Sequence, residues 1–374
     1  MDGDAAALFT AIEARSKELV SRGAAFEAEG VLPDDVLVWM IRHKLFKLFV
    51  PKSLGGAELT LQEAVRVYEA LAAIDGSLGW LSQIGSGGGF FVPSFEPEVA
   101  RRFFEDPRAV IAGTGHPAGR ARRVPGGYVV SGRWKYASGA QYATLFTANA
   151  VLEEGARTGA RRRDIEGDDT RREAVDLGDA ERIRAFAFLP HEVRLIRDWE
   201  ALGMQATSSW TFVAEEVFVP EERSFVVGEM IWDPGYSVYR LPFGLFAVAS
   251  IASVCVGLAR AFFAAAPDTA PARETTGASA AEALYAAQQE AERYRMIFFA
   301  AVERLEAAHA DGTLDEATGE NLGWMMRHAA YALRGLVLTS LPLLGMRAIR
   351  PSERVNRIVR DLLTAFQHVV MRPA

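Results

Sequence analysis

The spacing of apolar residues changes twice along this chain, and that order of textures limits the folds open to it. Up to about Asp106 the period is helical. Thr60-Leu61-Gln62-Glu63 has the Thr-x-x-Glu spacing of a capping box, in which each side chain satisfies a backbone donor of the first turn. Behind it Ala64, Val65, Tyr68, Leu71 and Ala72 fall on one helical face, and Asp75-Gly76 closes the segment. Pro33 with Asp34 and Asp35 opens another helix, because proline and acids suit a first turn. From about Pro107 to Arg223 the texture is that of strands. Gly126-Gly127 turns into Tyr128–Ser131, followed by Leu145–Val151, Ala185–Leu189, Trp210–Val213 and Val217–Val219. After Gly228 helices return, at 280–308, from Trp324 to about Leu338, and from Pro351 to Met371. The expected fold is mainly α with a central β domain. Its units are 1–106, 107–224 and 225–374, and a Gly-, Arg-, Asp- and Glu-rich stretch at 153–182 is expected to form a mobile surface insertion.

Composition removes several classes of function. A chain of 374 residues with 50% hydrophobic and 24% charged residues can bury a sizeable core. A formal net charge of −7 leaves no basic footprint for nucleic acid. Cys255 is the single cysteine and sits in an apolar run, so neither an intramolecular disulfide nor a cysteine metal cluster is expected. No zinc-ligand spacing, HExxH, Walker loop or GxSxG is present, and no metal is expected. The acidic, amphipathic N-terminus lacks the regions of a signal peptide. The longest apolar stretch, Leu241–Leu258, contains Pro, Gly and Ser and is expected to be a buried core helix rather than a membrane span. The expectation is a cytoplasmic protein without nucleic-acid or membrane partners.

Two segments bear on chemistry. In the last helix Val355, Ile358, Val359, Leu362, Phe366, Val369 and Val370 form one apolar face. Arg357, Asp361, Thr364 and His368 line up opposite, and periodicity alone turns that stripe to water. Gly85–Gly89 is glycine-rich but lacks the Lys-Ser/Thr of a phosphate loop, and suggests close helix packing or a bend.

Several passages occur in an order similar to that of a known family. They are Val50-Pro51-Lys52-Ser53-Leu54-Gly55-Gly56, Asp75-Gly76-Ser77-Leu78-Gly79-Trp80, His116–Ala121, Gly127–Gly139, Leu202–Ser209, Val217–Pro220, and Arg357–Asp361 with His368. Over nearly its whole length the chain resembles the acyl-CoA dehydrogenase superfamily, and within it the flavin-dependent monooxygenase branch. The resemblance implies an N-terminal helical domain, a middle β-barrel or sandwich and a C-terminal four-helix bundle. It also implies a reaction in which a separate flavin reductase supplies reduced flavin, FMN or FAD. Oxygen then gives a C4a-hydroperoxyflavin, which oxygenates a small aromatic or heteroatom-containing substrate. Family members are commonly homotetramers or homodimers.

Carried over position by position, the resemblance makes His368, Ser138 and His116 catalytic. It makes Trp134, Ser138, Thr207, Ser208, Ser209 and Arg357 cofactor-binding. Read without it, Trp134 is β-domain core, Ser138 a turn residue and His116 a surface-loop histidine, while Thr207–Ser209 fits a structural turn as well as a cofactor contact. Ala206 and Ser208 stand where glycines are usual. An alternative within the superfamily is an FAD-dependent acyl-CoA dehydrogenase. Many of those carry a catalytic glutamate where this chain has Leu344, which cannot abstract a proton. A third reading is a member that has lost flavin and serves as a dehydratase or binding module.

Overall fold

The Thr60 capping box forms as its spacing predicts. Glu63 N–H donates to Thr60 Oγ1 at 3.2 Å and Thr60 N–H to Glu63 Oε2 at 3.2 Å, which starts helix α3 (Leu61–Ile74). Two further first-turn donors, Leu61 N–H and Gln62 N–H, are met by Glu306 of the distant helix α7 (Arg273–Ala310), at 2.6 and 3.2 Å. Burial raises the Glu306 carboxyl above its usual range. A C-terminal carboxylate therefore caps an N-terminal helix, and the two helical regions are fastened together.

The structure, a computed structural model, describes residues 3–153, 182–270 and 273–372. The insertion expected at 153–182 lies almost wholly outside the described residues. The remaining N-terminal helices are α1 (Gly3–Glu29), α2 (Asp34–Arg42), α4 (Gly76–Gly87) and α5 (Pro97–Phe104). The strands are β1 (Ile111–Val124), β2 (Gly127–Ala137), β3 (Leu145–Leu152), β4 (Ile183–Phe188), β5 (Arg194–Ile196), β6 (Trp210–Pro220) and β7 (Ser224–Phe225). Helices α6 (Phe243–Thr269), α8 (Glu316–Ser340) and α9 (Arg354–Ala365) complete the chain with α7.

The strands form one sheet in the order β5-β6-β2-β1-β3-β4-β7, with β3 parallel to β1 and the other pairs antiparallel. Its buried side chains form a core of their own. Tyr128 on β2 meets Phe186 on β4 at 5.2 Å, although two strands separate them in the sheet. The sheet must therefore curl over on itself. Two sequence expectations change here. Trp210–Val213 and Val217–Val219 belong to one strand, because the left-handed residue Glu216 lies where the register against β2 shifts. His116 belongs to β1 rather than a loop, on a stretch where the register with β3 slips between Thr114 and Gly119.

Helices before and after the sheet share a second core, with α6 packed against α3, α4, α8 and α9. Leu241–Leu258 falls largely in α6, most of which is buried inside the protein despite a length and apolarity sufficient for a membrane span. Glycine sets its distance from α3: a Cβ at Gly257 would lie 2.4 Å from Glu69 O. In the Gly85–Gly89 run Gly85 and Gly88 are close-packed, since a Cβ at either would lie 2.6 Å from Phe46 or Ile111, whereas Gly87 has room.

The last helix is shorter than its period suggests. α9 stops at Ala365, and His368 caps a single 3-10 turn, Val369–Met371. Arg327 Nε donates to Val370 O at 3.0 Å and Tyr331 Oη to Met371 O at 2.6 Å. These bonds from α8 draw the tail out of the helical path, a tertiary effect that periodicity does not register.

Candidate active site

Asp75 begins the site because it begins α4. Its Oδ1 accepts Ser77 N–H at 2.9 Å, as an N-cap carboxylate does. One turn on, Trp80 Nε1 donates to Ser138 Oγ at 2.9 Å. Ser138 stands just past β2, behind the left-handed residue Tyr136, and Gly139 N–H bonds Thr207 O at 2.8 Å to tie this turn to the next. Ser138 Oγ lies 2.8 Å from Ser209 Oγ, Ser209 Oγ 2.7 Å from Thr207 Oγ1, and Thr207 Oγ1 donates to Met204 O at 2.8 Å.

The chain of bonds has a direction. An indole N–H only donates and a carbonyl only accepts, so the hydroxyl protons between them run from Ser138 to Ser209 to Thr207. Ser138 has spent its proton inward. What it offers a ligand is a lone pair. Tyr136, Met204 and Ser208 all have positive φ, a costly conformation for residues with side chains that collects at functional sites.

His368 faces the same tryptophan, its ring centroid 5.8 Å from that of Trp80 in an edge arrangement. Burial, with a smaller effect from Arg372, pushes its pKa down to about 4. The ring is therefore neutral near pH 7. Val370 N–H donates to Nδ1 at 3.3 Å, which leaves the ring proton on Nε2. His368 is a donor at that nitrogen and not a proton acceptor.

Beneath these groups lies a buried charge cluster of Asp75, Arg357 and Asp361. Asp361 Oδ1 accepts Met204 N–H at 2.5 Å, which fixes the start of the Thr207–Ser209 turn. Burial raises the Asp75 carboxyl against the opposing pull of Arg357. Burial, reinforced by Asp75, pushes Asp361 up to about 8. Small residues make room: a Cβ at Gly76 would lie 2.7 Å from Asp361 Oδ2.

The structure thus brings together Ser138, Thr207, Ser209 and His368 of the residues expected from sequence. Ser208 is buried, and its hydroxyl reaches instead toward Gly30 O at 3.5 Å. His116 is exposed on the irregular part of β1. Two cofactor assignments need correction. Trp134 is fully buried in the sheet core, stacked on Phe212 at 5.1 Å with Nε1 bonded to Asn149 O, so its ring has no face left for a cofactor. Arg357 is buried beside Asp75 and Asp361, and its charge pulls against the rise of both carboxyls, which gives it a structural role that does not need a cofactor. Trp80, Asp75 and Asp361 enter the site without having been assigned a catalytic or binding role, although Asp75 and Trp80 bound one of the family-like passages and Asp361 shares the polar stripe of α9.

A flavin fits this donor set. It needs an aromatic or apolar wall and a few polar groups at one edge. Trp80 supplies the first, Ser138 and His368 the second. Two open surface hollows of about 230 and 270 Å³, lined by residues such as Arg184 with Glu221 and His191 with Arg194, include none of these side chains. Among the described residues, no three His, Cys, Asp or Glu side chains are grouped to hold a metal.

A family model described as "Acyl-CoA dehydrogenase, C-terminal domain" matches residues 249–373. The chain is 29% identical to a pigment production hydroxylase of Rhodococcus sp. (strain ATCC 21145), over 61% of this chain and 55% of that protein, about half the relative's length. It is 26% identical to indole-3-acetate monooxygenase of Pseudomonas putida, over 94% of this chain and 87% of that one. Its fold matches XiaF from Streptomyces sp., solved in complex with FADH2 and glycerol, with a TM-score of 0.83, 21% identity, and coverage of 98% of this chain and 92% of that one. The chain thus matches the acyl-CoA dehydrogenase C-terminal family model over its last third, is similar in sequence to proteins named as monooxygenases and hydroxylases, and shares the fold of XiaF.

Proposed function

We propose that the chain is the oxygenase component of a two-component flavin monooxygenase, acting on a small aromatic or heteroatom-containing substrate. Reduced flavin, FMN or FAD, would come from a separate reductase and, when bound, supplies the electrons that activate oxygen. The observation that carries this reading is a neutral, half-buried His368 packed on Trp80, which is itself bonded to Ser138. Ser138 Oγ is placed to accept from an N–H of the ring system, and His368 Nε2–H to donate to an oxygen atom of substrate or oxidant. Trp80 and the enclosing helices exclude water from the space between them. His116, at the exposed edge of β1, would border the entrance. Leu344 is fully buried at the place where the dehydrogenase branch carries its base, which weighs against the acyl-CoA dehydrogenase alternative.

Two experiments test the reading. In the first, the protein is titrated anaerobically with reduced FMN and FAD and then mixed with oxygenated buffer. A lag is expected before oxidised-flavin absorbance appears, compared with free reduced flavin. No binding of either flavin, or reoxidation as fast as in free solution, would defeat the reading. The second concerns assembly. Tyr285, Trp324, Met346 and Ile349 are exposed on α7, α8 and the turn after α8. So much apolar surface marks an interface. Light scattering after size exclusion should give a mass two or four times 40.8 kDa, and a monomer at micromolar concentration would contradict this.

A further inference from the structure

The geometry points to Gln83, together with Ser250, as a polar end to the site that Trp80 borders, selecting a substrate that carries a hydrogen-bond donor away from the atom oxygenated. This rests on the monooxygenase reading and adds the substrate class.

Gln83 lies one turn beyond Trp80 on α4, and Gly87 one turn further, so the three share a stripe of that helix. Gln83 is 5% exposed, yet its Oε1 has no hydrogen-bond partner. A Cβ at Gly87 would find only Gln83 Nε2 within 4 Å, at 3.9 Å, and Gly87 is half-buried, so the Nε2 side of the amide borders space that opens toward the surface. The second orphan is Ser250 Oγ, on α6 and fully buried. Most serines inside helices return their hydroxyl to a backbone carbonyl of the preceding turn, as Ser253 does to Ser250 O at 2.7 Å. Ser250 does not.

Two contacts bracket both residues. At one end Gly79 of α4 and Gly257 of α6 both pack on Ala72 of α3. At the other, Phe90, just past α4, meets Phe246 of α6 at 4.5 Å. Gln83 and Ser250 fall between these levels on neighbouring helices. A buried polar atom without a partner costs stability unless a ligand completes it. An unfilled amide oxygen accepts, so it fits a ligand O–H or N–H. A second phenolic hydroxyl or an indole N–H meets that description.

The test uses Gln83→Met and Ser250→Ala in the full chain. If the two groups serve no internal partner, thermal unfolding of either variant without ligand should match wild type or rise by about 1–3 °C. Binding is then measured calorimetrically, with and without flavin, for resorcinol against 3-methoxyphenol and indole against 1-methylindole. In wild type at least one donor ligand should bind about 10-fold or more tightly than its methylated partner, and Gln83→Met should reduce that preference below about 3-fold. The inference is overturned if wild type discriminates in neither pair, if the preference survives in Gln83→Met, or if that variant melts several degrees lower. Failure of the flavin-reoxidation lag would instead strike the monooxygenase reading, since ligand preference is also measured without flavin.

Discussion

Replacing His368 by leucine should lower product formation by about 10²-fold or more while the protein stays folded, because a positioned donor or proton carrier contributes on that scale. The imidazole is neutral with its proton on Nε2, so the lost interaction is a hydrogen bond donated to an oxygen atom in the cleft. The same change has a stability signature that does not depend on knowing the substrate. An unfolded chain protonates this histidine near its ordinary value of 6.5, whereas the folded protein resists until about 4. Between those values the unfolded state holds more protons, so this group lowers stability as pH falls from 6.5 toward 4, by at most a few kcal/mol. Urea unfolding across that window should show a shallower decline for His368→Leu than for wild type. An identical slope would mean that His368 is not held neutral by burial.

The largest stability loss is expected at Arg357. Changing it to methionine leaves Asp75 and Asp361 buried without their cation, a loss of about 3–5 kcal/mol for a buried pair stripped of one partner. Here the sign with pH is opposite to that of His368. Both carboxyls are raised above their unfolded values, so each is tolerated while protonated and penalised as pH climbs through its folded pKa, about 8 for Asp361. Arg357→Met should therefore be least damaging near pH 5.5 and worst near about pH 8.5, as read from urea midpoints. Asp361→Asn keeps an acceptor for Met204 N–H and removes a group that would ionise as pH climbs, and should be far milder. If Arg357→Met unfolds at the wild-type midpoint but releases flavin, the arginine binds cofactor instead of balancing the two carboxyls.

The fate of Arg357 shows why half of this site was hard to see in one dimension. On the helical wheel of α9, Arg357 and Asp361 sit on a polar stripe that faces water if the helix is considered alone. In the folded chain the N-cap carboxylate of α4 and the bare Cα of Gly76 come against that stripe and bury it. Trp134 failed for the reverse reason. A tryptophan leading a turn looks like a cofactor wall, but strand alternation sends its ring into the curled sheet, where Phe188 and Phe212 enclose it. Trp80 stood in a family-like passage, and nothing local marks it as the side chain that touches both His368 and Ser138.

What the sequence by itself determined was local: the order of helices, strands and helices, the Thr60 cap, and the apolar helix through Cys255. These follow from the period of apolar residues and from first-turn chemistry, which act over a few residues. The order of its motifs added a resemblance to the superfamily and, among other positions, pointed to Ser138, Thr207, Ser209 and His368, which the fold brings near one another. Only the tertiary structure decided which polar groups are buried, which nitrogen of His368 keeps its proton, and which buried atoms lack a partner. Desolvation and hydrogen-bond direction depend on neighbours drawn from distant parts of the chain, and no spacing along the chain encodes them.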